Sequence, residues 1–142
     1  MLRSRFRQLA NILKTQFLRF LIAGTIGFAV DAGVLSLLVR TGVGYFEGRA
    51  VSFLVAVWTT WRINRRYTFE RRQPQSAWRE WWRYLLAMSL GGTINYGVYS
   101  AAILTLPKSP YLPLWGVALG SVAGLAANFV SARWWVFGHP SR

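Results

Sequence analysis

Residues 20–39 read FLIAGTIGFAVDAGVLSLLV, twenty residues in which Asp31 is the one ionisable side chain. At 1.5 Å rise per residue such a run reaches about 30 Å, the thickness of a bilayer hydrocarbon core, and it reads as a membrane-crossing helix. It is too long, and sits too far from the start of the chain, for the apolar core of a cleavable signal peptide. Two more runs have the same character. Residues 84–106, YLLAMSLGGTINYGVYSAAILTL, carry no charge and are closed by Pro107, Pro110 and Pro113, which stop a helix. Residues 112–132 are uncharged and rich in glycine and alanine. A fourth candidate, 43–61, is weaker: its apolar core is short, and Glu47 and Arg49 lie near its start.

Charge placement resolves the weak case. Of 17 Lys and Arg residues, fourteen lie in segment 1–19, in segment 62–83 and after residue 132, and three (Arg40, Arg49, Lys108) in the other two connections. The positive-inside bias then puts both ends and the central loop in the cytoplasm, which requires 43–61 to cross. The chain of 142 residues therefore reads as an all-α integral membrane protein with four transmembrane helices, 20–39, 43–61, 84–106 and 112–132, and both termini cytoplasmic. The net charge of +13 would suggest nucleic acid on a polar chain. Here 54% of residues are hydrophobic, so anionic lipid headgroups are the expected partner and nucleic acid is not. The chain has no cysteine, and its single histidine, His139, lies in the tail 139–142 without ligand-spaced companions. No metal, cofactor or catalytic machinery is expected.

Before the first span, Phe6, Leu9, Leu13, Phe17 and Phe20 recur at helical spacing, away from Arg3, Arg7 and Lys14. Segment 1–19 is accordingly expected as an amphipathic helix lying in the membrane interface. Segment 62–83 reads as a basic, aromatic loop; within it Trp78, Trp81, Trp82 and Leu85 share one helical face as the third helix begins. The chain also repeats itself. At an offset of 64, residues 19–38 match 83–102 with seven identities in twenty, Gly27/Gly91 and Ala23/Ala87 among them. At an offset of 68, Gly48, Ala50, Arg65 and Phe69 meet Gly116, Ala118, Arg133 and Phe137. A duplicated two-helix hairpin is expected.

Several residues stand out against this background. Asp31 lies about 16 Å along the first span, where an isolated carboxylate costs about 3 kcal/mol on insertion scales, so it should face protein or water. It is a candidate for coupling or substrate contact, with helix packing as the competing role. Asn95 and Asn128 are midspan amides, able to join helices or to meet a sugar hydroxyl. Arg49 is a candidate partner for Asp31 unless it extends to the outer surface. Arg62, Arg65 and Arg66 offer guanidinium groups suited to bidentate contact with a phosphate, although lipid contact and topology also account for them. Gly116, Gly120 and Gly124 form a stripe for close helix packing.

Asn64-Arg65-Arg66-Tyr67-Thr68-Phe69 closes the second span and Arg133-Trp134-Trp135-Val136-Phe137 the fourth, while Gly24, Gly27 and Asp31 mark the first. In these features the chain resembles the GtrA-like family over roughly residues 17–138, so that 20–138 would form the four-helix domain. The resemblance implies a small bacterial inner-membrane protein of cell-surface polysaccharide or O-antigen synthesis. Such a protein would move polyprenyl-phosphate-linked sugars for a partner membrane glycosyltransferase. By matching positions it points to Asp31, Asn64, Arg65, Arg66, Asn128 and Arg133. One departure is visible: Thr60-Trp61 stands where the fourth helix has Asn128-Phe129. On this reading Arg62, Arg65 and Arg66 hold the phosphate, while Asp31, Asn95 and Asn128 line a polar seam for the sugar. Four helices barely enclose such a seam, so a homo-oligomer is expected. The rival readings are a non-transporting scaffold for a polyprenyl-phosphate glycosyltransferase, and a proton-coupled small-molecule exporter.

Overall fold

The computed structural model describes residues 2–69, 76–109 and 112–138. It is all-helical, with α1 at Leu2–Arg40, α2 at Tyr45–Ile63, α3 at Ala77–Thr105 and α4 at Leu112–Val130. The chain divides into two compact units, Met1–Arg72 and Gln73–Arg142, each a helical hairpin: α1 packs on α2 in the first and α3 on α4 in the second. Among the described residues one helix, Arg5–Arg40, is long and apolar enough to cross a membrane by length and composition, with a mean hydropathy of 1.9 in its best window.

Three boundaries differ from the sequence expectation. Residues 2–19 are not a helix of their own, for α1 runs without interruption from Leu2 to Arg40. The reason is local: no proline occurs in it, and no glycine precedes Gly24, so nothing breaks the hydrogen-bond ladder where the basic segment meets the apolar one. At 39 residues the helix is about 58 Å long, nearly twice the hydrocarbon thickness. Helix α2, in turn, does not give way to loop at residue 62. It continues to Ile63 and then into a π-helical turn, Asn64–Thr68, whose end is marked by the Phe69 N–H donating to the Asn64 carbonyl at 3.0 Å. Likewise α4 passes into a second π-helical turn, Ser131–Val136, closed by the Phe137 N–H on the Ala132 carbonyl at 2.8 Å.

The two units repeat each other in their internal packing, at the offsets visible in the sequence. Phe20 packs its ring against Phe69 at a centroid distance of 6.1 Å, and Tyr84 against Phe137 at 6.0 Å. Ala23 and Ala87 are both wholly buried. Gly27 lies so close to the side chain of Thr60, and Gly91 to that of Asn128, that a methyl group at either glycine would overlap its neighbour. Thus the Thr60/Asn128 departure falls at one structural position, where a glycine on the first helix of each hairpin admits the side chain of the second.

A basic cleft on the first unit

Residues in the first half of α1 and at the end of α2 enclose a cleft of about 820 Å³. Arg62, Arg65, Arg66 and Tyr67 line one side; Gln8, Asn11, Thr15, Gln16 and Arg19 line the other. Each side has a local cause. On α1 the lining residues recur at three- and four-residue steps, the spacing of one helix face. On α2 the π-helical turn inserts an extra residue per turn, which rotates Arg65, Arg66 and Tyr67 relative to an α-helical continuation. Beneath them Asn64 is buried, and its Oδ1 accepts the Thr68 hydroxyl at 2.7 Å. In the second unit the equivalent residues are Ala132 and Val136, both buried, so the polar pair is particular to the first turn.

Arg19 ties the two walls together. Its Nη1 donates to the Tyr67 carbonyl at 2.9 Å across 48 residues of sequence. That carbonyl belongs to the last turn, where helix acceptors lack an intrahelical donor and the helix dipole favours a cation. The other arginines rest on aromatic rings: Arg62 over Trp58 at 5.7 Å, Arg65 over Trp61 at 5.1 Å and Arg66 over Tyr67 at 5.7 Å. Cation–π contact of this kind orients a guanidinium, and at Arg62 and Arg66 it leaves the in-plane N–H groups available. With four guanidinium groups and no acidic side chain among its described lining residues, the cleft is strongly positive. The dipole at the end of α2, equivalent to roughly half a negative charge, offsets little of this. The arrangement suits a phosphate, which accepts paired N–H donors.

The remaining candidates lie elsewhere. Asp31 is half-buried on α1 and its Oδ1 is shielded from solvent, but it does not line the cleft. Asn95 and Asn128 belong to the second unit, where Asn95 packs against Gly120 and Gly124, and Asn128 against Gly91. Gly116 faces Tyr99 and Ile103, so all three glycines of the α4 stripe are turned to α3. Arg133, on the second π-helical turn, stacks on Trp134 at 5.4 Å. The side chain of Arg49 and the whole of His139 lie outside the described residues. Among the described residues, no group of three or more His, Asp or Glu side chains converges as metal ligands would.

Sequence reasoning missed the α1 wall. Gln8, Asn11 and Thr15 sit opposite the apolar stripe of segment 1–19, with Gln16 at its edge, and that polar stripe was itself the available signal. The second unit differs at the matching positions: α3 begins at Ala77, and Val130, Trp134 and a buried Glu80 stand where the first unit has Arg62, Arg66 and Gln16.

A family model described as GtrA/DPMS, transmembrane domain, matches residues 19–137. No curated protein matches the chain.

Proposed function

The chain belongs to the GtrA/DPMS transmembrane-domain family, a membrane family tied to polyprenyl-linked sugars, and on that premise we propose that it flips a polyprenyl-phosphate-linked sugar across the bacterial inner membrane for cell-surface polysaccharide or O-antigen glycosylation. The observation that carries this reading is the cleft itself, where Arg19, Arg62, Arg65 and Arg66 converge with no carboxylate among the described lining residues. Both segments that build it belong to the basic inner-face set, so under the positive-inside bias it loads from the cytoplasm. The lipid tail stays outside, along faces as apolar as those of Phe28, Leu104 and Val122, which are exposed on the chain. Four crossings, cytoplasmic termini, a homo-oligomer and a neighbouring glycosyltransferase complete the proposal.

The test is reconstitution. In liposomes of the purified protein, a polyprenyl-phosphoglucose placed in one leaflet should become accessible from the other at a protein-dependent rate. Arg62→Ala/Arg66→Ala removes two charge-assisted hydrogen bonds to the phosphate and should lower substrate affinity by at least about tenfold. Asp31→Ala should slow crossing more than binding. Flux undiminished in both variants would remove these residues from the mechanism. Absence of flux from the native protein, with stimulation of an added glycosyltransferase, would replace transport by the scaffold reading.

A further inference from the structure

The α1 wall of the cleft differs in chemistry from the arginine wall. Gln8, Asn11 and Thr15 stand at positions i, i+3 and i+7, and Arg19 follows at i+11, so at 3.6 residues per turn all four fall within about 80° of one another around the helix. All four line the cleft. The Thr15 hydroxyl donates to the Asn11 carbonyl at 3.0 Å, which leaves its oxygen free to accept. The side-chain amides of Gln8 and Asn11 make no hydrogen bond among the described residues, so each offers two N–H donors and a carbonyl acceptor to whatever enters. One wall is therefore cationic, and the facing wall is neutral apart from Arg19 at its end, with alternating donors and acceptors. A bare phosphate needs only the first, and it occupies a small part of about 820 Å³. A sugar phosphodiester presents both complements at once, an anionic group and, beside it, a ring of hydroxyls that both donate and accept.

These residues precede the family match, which begins at residue 19. The neutral wall thus lies outside the segment that the family shares, and it faces the arginines because α1 continues unbroken below its apolar half.

We propose that Gln8, Asn11 and Thr15 select the sugar. They hydrogen-bond hydroxyls of the hexose attached to the phosphate held by the arginines, so the cleft distinguishes glycosylated carrier lipid from the bare carrier sharing its leaflet. This rests on the phosphate reading above and adds to it a division of labour between two helices. The glycerol headgroup of phosphatidylglycerol shares the phosphate-and-hydroxyl chemistry, and the experiment separates it from a hexose.

The full chain in zwitterionic nanodiscs is titrated with farnesyl phosphate and with farnesyl phosphoglucose, with phosphatidylglycerol as competitor. Gln8→Ala and Asn11→Ala place a strong helix former on an exposed face, so α1 is retained. Removing one hydrogen bond weakens binding by roughly 2- to 12-fold. The expected result is a native preference for the glucosylated lipid that shrinks by at least about 5-fold in the double variant and is partly kept in Asn11→Gln. An unchanged preference, an equal loss for both lipids, or competition by phosphatidylglycerol as strong as that by farnesyl phosphoglucose overturns the proposal. In parallel, Arg62→Ala/Arg66→Ala should weaken both lipids alike. If it leaves farnesyl phosphate binding intact, the phosphate reading falls and the proposal with it, a result distinct from any the amide variants give.

Discussion

Gly120→Ala is expected to destabilise the second hairpin although alanine is the better helix former. A Cβ at Gly120 would lie 2.6 Å from the backbone carbonyl oxygen of Asn95 and 2.8 Å from its side-chain Oδ1. The Oδ1 can rotate away, but the carbonyl is fixed in α3. Ordinary contact begins near 3.4 Å, so the helices must part locally by about 0.8 Å. The separation also loosens the approach at Gly124, whose own added Cβ would sit 2.9 Å from the Gly91 carbonyl oxygen. Overpacking of this size costs about 1–3 kcal/mol, against about 1 kcal/mol gained from helix propensity. The net expectation is a loss of up to about 2 kcal/mol. Gly92 is the control, because a Cβ there meets nothing within 4 Å and only the propensity gain applies. Unfolding by titration with dodecyl sulfate, followed by tryptophan fluorescence, should rank Gly92→Ala above native and Gly120→Ala below it. If Gly120→Ala is as stable as Gly92→Ala, the close approach of α3 and α4 through this glycine is refuted.

Two further outcomes are expected. Thr68→Val removes the buried hydroxyl that Asn64 accepts and should cost about 1–3 kcal/mol, whereas Asn64→Ala/Thr68→Val imitates the apolar Ala132/Val136 pair of the second turn and should lose less than the two single changes summed. A double-mutant cycle with strictly additive losses would speak against the internal hydrogen bond. Reporter tags at residue 1 and residue 142 should both be cytoplasmic, as the fourteen-to-three distribution of basic residues requires; opposite faces would deny an even number of crossings.

The all-helical hairpins were legible because the offsets of 64 and 68 repeat small residues and ring positions where two helices meet, as at Gly27 with Thr60 and Gly91 with Asn128. The arginines were legible too, since Arg62, Arg65 and Arg66 fall within five residues of one another. The π-helical turns were not, for no residue in Asn64–Thr68 announces one; the turn accompanies Phe69 packed on Phe20, a contact 49 residues apart that local propensity does not register.

What can be taken from the amino-acid order alone is the solvent and the count of helices. A slab of hydrocarbon about 30 Å thick imposes a length and a charge rule on each segment separately, whatever its neighbours do. The cleft is of another kind. It needs α1 to pass unbroken from its apolar half into its basic half, and it needs Arg19 to reach the Tyr67 carbonyl. Gln8 and Arg66 become neighbours across one cleft only when two helices pack, because that proximity is a property of the pair and resides in neither segment by itself.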